Sequence, residues 1–251
     1  MKKLILLAFL GLSISGFSQI RFYGQVGMTI STFDRDLMQE YGFIEYRQFL
    51  IDEGVNASSP ATNSVRPGGM IGLEMDILLD KTSFVKTGIK YTNGGDGYFF
   101  KTPDIQYQQY YGLVSTDARF KFRPRLDYIA VPVNYGKILG DFSVYGGVTP
   151  HINVASALRV NYFEVDNPSR VQEKWEREDD LLTAANNVYF LNVGANYIAP
   201  AFDLDYVMSL NFSYSLNPVY DHPGAVAQIN SAHLWLIELA FGFTISTEEL
   251  R

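Results

Sequence analysis

Eight stretches of this 251-residue chain alternate apolar residues with small or polar ones at a period of two. Successive side chains of a strand point to opposite sides, so this period describes β-strands with two chemically different faces. Ile20–Ser31 sets Phe22, Val26, Met28 and Ile30 against Arg21, Tyr23, Gln25, Thr29 and Ser31. Gly68–Leu79 sets Ile71, Leu73, Met75, Ile77 and Leu79 against Gly72, Glu74 and Asp76. Ser83–Thr92, Leu126–Tyr135, Phe142–Val154, Val188–Ile198, Leu204–Leu216 and Ala232–Ile245 repeat the pattern. Each is close to the roughly 9–11 residues that cross a bilayer at a tilt. The connections alternate as well: 32–67, 93–123 and 155–187 are long, 80–82, 136–141 and 199–203 are short, and 217–231 is intermediate. Short turns at one end and long loops at the other are the layout of an outer-membrane barrel.

Alternation alone does not say which face points inward. A soluble eight-stranded barrel of the lipocalin kind keeps its apolar face inside. Two features favour the inverted case. The polar faces are built mainly from Gly, Ser, Thr, Asn and Ala, whereas a water-facing exterior should be rich in Lys and Glu. Aromatic residues also close both ends of the apolar faces. Phe22, Tyr135, Tyr197, Tyr206 and Phe243 fall at the short-turn end, and Tyr91, Tyr189, Tyr214 and Trp235 at the long-loop end. Two such girdles around an aliphatic band match a membrane barrel. The expected fold is therefore all-β: an eight-stranded, antiparallel, up-and-down transmembrane β-barrel with long extracellular loops. Pro132 and Pro150 fall inside strands of a sheet without edges, so a bulge is expected at each.

The composition narrows the function. Aromatics make up 15% and charged residues only 19%, which excludes a disordered chain. With 27 Asp+Glu against 20 Lys+Arg the net charge is −7, which argues against a nucleic-acid partner. The chain has no Cys, so a disulfide scaffold and a Cys-ligated zinc site are excluded. Lys2 and Lys3, the apolar run Leu4–Leu12 and the small-residue site at Gly16-Phe17-Ser18 read as a signal peptide over 1–18. The mature barrel domain is expected to span 19–251, with the cell outer membrane as its location.

The chain resembles the outer-membrane β-barrel proteins labelled porin family in Bacteroidota-type Gram-negative bacteria, a group that includes PorT-like barrels. The resemblance rests on Gly24-Gln25-Val26-Gly27-Met28-Thr29-Ile30-Ser31, on Gly72-Leu73-Glu74, and on Leu126-Asp127-Tyr128-Ile129-Ala130-Val131-Pro132. It implies an OmpX/OmpA-like eight-stranded barrel and no common catalytic residues. One departure is that Ser246–Arg251 follows Ile245, where such barrels usually end on an aromatic residue of the last strand.

Catalysis needs a nucleophile beside a base, and only three His are present. His151 is expected in the lumen, His233 at the interface near Trp235 and His222 in the last loop. No catalytic, cofactor or metal residues are assigned. Asp96, in Asn93-Gly94-Gly95-Asp96-Gly97, reads as a turn rather than a calcium loop. Asn167-Pro168-Ser169 followed by the acidic 170–184 reads as a short exposed helix. Residues 34–53 are apolar enough to pack over the barrel mouth or against a protein. Loops 32–67 and 155–187 are thus the candidate contacts with an envelope partner. Outer-membrane lipid and lipopolysaccharide are the expected surroundings.

The lumen carries charge. Glu74 and Asp76 face inward on the second strand and Lys86 and Lys90 on the third. A three-residue turn sets Asp76 near Lys86 and Glu74 near Lys90. Glu238, Asp205 and Arg21 add to this lumenal ionic network. Buried charges must be paired, and a barrel of eight strands is just wide enough for its own side chains to fill. The expectations rank as a loop-presenting, non-enzymatic barrel, then a PorT-like accessory of a secretion or assembly machine, then a lipid A-modifying enzyme, then a pore.

Overall fold

The computed structural model describes residues 20–34, 62–103, 117–164, 171–175, 184–201, 204–220 and 232–246. The signal-peptide segment, most of the first loop and His222 lie outside these residues. Twelve strands follow in order: β1 (Ile20–Phe33), β2 (Thr62–Ser64), β3 (Arg66–Leu78), β4 (Ser83–Gly95), β5 (Gly97–Pro103), β6 (Asp117–Ala130), β7 (Val133–Leu139), β8 (Phe142–Glu164), β9 (Val171–Trp175), β10 (Asn187–Ala201), β11 (Leu204–Ser215) and β12 (Leu234–Ser246).

Neighbours in sequence pair antiparallel around a closed ring. β1 pairs with β3, β3 with β4, and β4 with both β6 and β7. These two form one wall that pairs with β8. The ring continues through β10, β11 and β12 and closes on β1. The result is an eight-walled antiparallel barrel, as the alternation implied. Closure matters physically, because a ring has no free edge and every wall's backbone groups find a neighbour.

The turn at one end is tight for identifiable reasons. Between β3 and β4, the Leu79 amide donates to the Ser83 carbonyl at 2.9 Å, leaving three residues in the turn. The Asp80 carboxylate accepts from the Thr82 amide (2.7 Å), the Thr82 hydroxyl (2.8 Å) and the Ser83 hydroxyl (2.7 Å). These bonds hold the Asp80 carboxyl down at a pKa of about 2. Between β7 and β8, Leu139 faces Phe142 and Gly140 takes φ 69°, the left-handed conformation that two-residue hairpin turns need.

The prolines do not produce bulges. Pro132 separates β6 from β7, yet Ala130 faces His151 and Val133 faces Val148, so no residue is inserted. Pro150 stays inside β8; its carbonyl accepts from the Val131 amide at 3.0 Å, and the return bond is missing because proline has no N–H. Opposite Pro132, β4 places Gly88 at φ 153°. A Cβ there would sit 2.4 Å from the Leu73 carbonyl oxygen, so glycine lets β3 approach where the other neighbour is interrupted. The bulge lies elsewhere, where Tyr128 faces Asn153 but Asp127 faces Ala155 and Val154 is the extra residue.

Two expectations about the long connections are corrected. The region 93–123 is not all loop: β5 begins one residue after β4 and pairs with β6 through Pro103↔Asp117. β2 adds to β5. Within the helix expected over 170–184, Val171–Trp175 instead form strand β9, paired with Leu158–Tyr162 of β8, and 176–183 lie outside the described residues. Local start signals lose here to the hydrogen-bonding edge that the long β8 offers. β2, β5, β6, β8 and β9 therefore extend the wall beyond the barrel on the long-loop side.

Polarity is inverted relative to a soluble protein. Val26, Met28, Ile71, Leu73, Ile89, Val193, Leu210 and Phe241 face outward, with Leu73 69% exposed. Gln25, Thr29, Glu74, Asp76, Lys86, Lys90, Asn192, Asn211 and Glu238 are buried inside.

Candidate functional site: the charged lumen and its aromatic rims

The alternation that turns apolar residues outward leaves every second residue of each wall inside a narrow space. On β3 and β4 the register puts Asp76 directly opposite Lys86. The Lys86 ammonium lies 3.3 Å from Asp76 Oδ1 and 3.5 Å from Glu74 Oε2. It also sits over the Tyr23 ring at 4.2 Å and faces the Tyr145 ring at 5.1 Å. The Tyr23 hydroxyl donates to Asp76 Oδ2, tying β1 to the same cluster. All five side chains are buried.

Lys90 does not take Glu74 as its ion-pair partner. It reaches Glu238 on β12, and the Asn211 amide of β11 donates to the same Glu238 Oε2 at 2.8 Å. Two clusters thus share the lumen, one joining β1, β3 and β4, the other joining β4, β11 and β12. Arg21 faces Asp76 across the β1–β3 register and lies beside Tyr23, while Asp205 is half-buried opposite Thr244 of β12. These two rim the first cluster at the short-turn end.

Neutral side chains fill the remaining space. Thr149 donates to Asn192 Oδ1 at 2.9 Å, and Asn192 donates to Asn134 Oδ1 at 2.9 Å, linking β8, β10 and β7. Gln25 donates to the Ser209 hydroxyl at 2.7 Å. Toward the long-loop end the lumen turns apolar, with Leu126, Val188, Phe190 and Leu234 fully buried.

The aromatic residues sit as two rims. Tyr135, Tyr206 and Phe243 are about half exposed at the short-turn end. Tyr197 joins them and packs on Phe142 with ring centroids 4.8 Å apart. At the other end Tyr189 faces outward, and Trp235 packs between Tyr214 (4.4 Å) and Phe212 (4.9 Å). Tyr91 receives the Arg125 guanidinium at 3.3 Å.

Each described histidine directs Nδ1 at a backbone carbonyl oxygen, which leaves Nε2 as its basic nitrogen. His151 is buried, with Nδ1 3.0 Å from the Thr149 carbonyl oxygen and its ring against Phe190 and Tyr128. His233 lies beside Ser215, a pairing the sequence reading missed. Its Nδ1 is 2.7 Å from the Ser215 carbonyl oxygen, so this nitrogen donates and cannot take a proton. The Ser215 hydroxyl is 3.5 Å away and accepts from the Leu234 amide. Asp34 binds the His233 backbone amide, not the ring. Asp96 is not at a tight turn: it joins β4 to β5, and its buried carboxylate accepts from the Phe33 and Gly97 amides. Among the described residues no group of three or more His, Cys, Asp or Glu could hold a metal ion.

No protein-family model matches this chain, and no curated protein does. Among solved structures it is similar to Ail, the attachment invasion locus protein of Yersinia pestis, crystallised with the heparin analogue sucrose octasulfate. The identity there is 8% and the TM-score 0.35, with 91% of this chain and 100% of that one covered. The outer membrane protein OprG from Pseudomonas aeruginosa gives 10% identity and a TM-score of 0.32 over 90% and 95% of the two chains. The outer membrane protease OmpT from Escherichia coli gives 11% and 0.32 over 92% and 97%. Similarity at this level transfers neither ligand nor activity.

Proposed function

We propose that this chain is an exported outer-membrane β-barrel whose filled lumen is structural and whose extended loop-side sheet serves for interaction at the cell surface, without catalysis. The observation that carries this reading is the inverted polarity: an aliphatic belt between two aromatic rims outside, paired charges inside. Such an exterior in water would be a large apolar patch without cover, whereas in lipid it is the stable arrangement. The basic and apolar start of the chain supports export, with residues 1–18 removed as a signal peptide. The Lys86 and Lys90 clusters act as an ionic plug, so the barrel conducts no steady ion current. Outer-membrane lipid and lipopolysaccharide surround it, and the segments 32–67 and 155–187, which include β2, the outer part of β8 and β9, are the contacts for an envelope protein. A PorT-like role in secretion differs by one observation, a protein partner retained through native purification. The test is fractionation with a folding readout. The protein should enter the outer-membrane fraction, resist salt extraction and shift in SDS gels on heating; a soluble periplasmic pool would overturn the reading.

A further inference from the structure

The sheet beyond the barrel has one strongly basic face. Along β6 the sequence Arg119-Phe120-Lys121-Phe122-Arg123-Pro124-Arg125 alternates cations with apolar residues. The cations share the face of β6 that carries Ile129 and Val131 on the barrel exterior, because β6 keeps its register against β4 and gains no residue there. Neighbouring strands add to the same face. Lys101 of β5 pairs with Arg119, Arg159 of β8 pairs with Arg123, and Lys174 of β9 pairs with Arg159. Positions of this face on the four strands hold these seven cations and two carboxylates, Asp117 and Asp127, in a chain of net charge −7. Like charges directly opposite one another destabilise a sheet, and an anion bound against this face would relieve that repulsion.

Its position limits which anion. Arg125 is at the foot of the ladder, donating to Tyr91 of the loop-side rim, with its side chain 45% exposed beside Asp127. From Arg125 to Arg119 the ladder rises six residues, roughly 20 Å at ~3.3 Å per residue. It therefore starts at the membrane interface and runs outward on the lateral side, the side that faces neighbouring lipid rather than the barrel mouth. Arginine pairs phosphate through two parallel hydrogen bonds, which suits it to phosphorylated headgroups.

We infer that this face binds the phosphate-bearing headgroup of the outer-leaflet glycolipid, lipopolysaccharide, alongside the barrel. The inference rests on the outer-membrane reading above. The site comprises Arg119, Lys121, Arg123 and Arg125, flanked by Lys101 and Arg159.

The test uses the full chain folded in detergent and immobilised lipopolysaccharide, compared with the Arg119→Gln/Lys121→Gln/Arg123→Gln/Arg125→Gln variant. Dephosphorylated lipopolysaccharide and soluble heparin form two further arms. The expected result is at least a ten-fold loss of affinity in the variant, a similar loss for wild type on the dephosphorylated lipid, and weaker binding as salt rises. Heparin at equal anion concentration should displace less than half of the bound protein. Variant binding within two-fold of wild type, equal binding to dephosphorylated lipid, or full displacement by heparin would each overturn the inference. The heat-dependent gel shift establishes that the variant folds. If it does not, the single variants Lys121→Gln and Arg123→Gln replace it, with a two- to three-fold loss expected and an unchanged affinity refuting. A protein that fractionates with outer membranes but binds without regard to these cations would sink this inference alone. Failure to fractionate would sink the reading beneath it.

Discussion

Replacing Lys86 by alanine leaves two buried carboxylates without their shared cation. Asp76 and Glu74 lie 3.3 Å and 3.5 Å from the ammonium that would be removed, and both are under a tenth exposed. Removing one partner of a buried ion pair costs about 3–5 kcal/mol, since the remaining charge stays desolvated and uncompensated. The contacts to the Tyr23 and Tyr145 rings disappear with it, and a cation over a ring contributes about 0.5–2 kcal/mol. The expected loss is thus at least ~3 kcal/mol. Urea unfolding in detergent or vesicles, followed by Trp fluorescence and the heat-dependent gel shift, measures it. The Lys86→Met/Glu74→Gln/Asp76→Asn triple variant should recover most of the loss, because it removes the orphaned charges together with the cation. A single-variant loss below about 1 kcal/mol, the size expected of an exposed pair, would refute the burial argument, as would a triple variant no better than the single.

Lys90→Ala should cost a similar amount, and in a double-mutant cycle it should couple strongly to Glu238→Gln and weakly to Glu74→Gln; the reverse pattern would contradict the pairing. Gly88→Ala should cost more than about 1 kcal/mol in the same unfolding assay, since its φ is unfavourable for alanine and the added Cβ meets β3. The turn bonds to Asp80 follow a depressed carboxyl pKa. Their stabilisation is complete above the ordinary carboxyl value of ~3.9 and is lost as pH falls through about 2. A carboxyl NMR titration of Asp80 with a midpoint near 4 would contradict it. In intact cells a cysteine at Val65 should react with an impermeant maleimide and one at Lys81 should not.

Eight walls and their inward faces were legible because a strand with an apolar outer face and a polar inner one writes its environment into every second residue. What lay outside that pattern was harder to read. Lys90 and Glu74 share a lumen, but a long side chain crosses to whichever wall curvature brings nearest, and alternation does not encode curvature; hence Glu238. Pro132 and Pro150 signalled an irregularity, yet the chain absorbed them by losing a ladder bond, while the inserted residue is Val154, which no local residue type marks. The start of the helix expected at 170–184 is strand at Val171–Trp175, because cap and proline signals describe an isolated segment and the edge of β8 was not visible to them. The Arg/Lys–Phe alternation of 119–125 was in plain view, and assigning 93–123 wholly to a loop concealed it. The Ser215–His233 contact joins the two ends of a connection and has no sequence signature.

The most direct measurement is a spin-label scan along β12 from Leu236 to Thr244 in lipid vesicles, comparing relaxation by oxygen with that by a water-soluble nickel chelate. Labels at Ile237, Leu239, Phe241 and Phe243 should show high oxygen and low nickel access, and labels at Glu238, Ala240 and Gly242 should show little access to either. The period would be two, in phase with the exposed apolar residues. An alternation in the opposite phase, or none, would contradict a barrel that turns its apolar face to lipid and buries its charges inside.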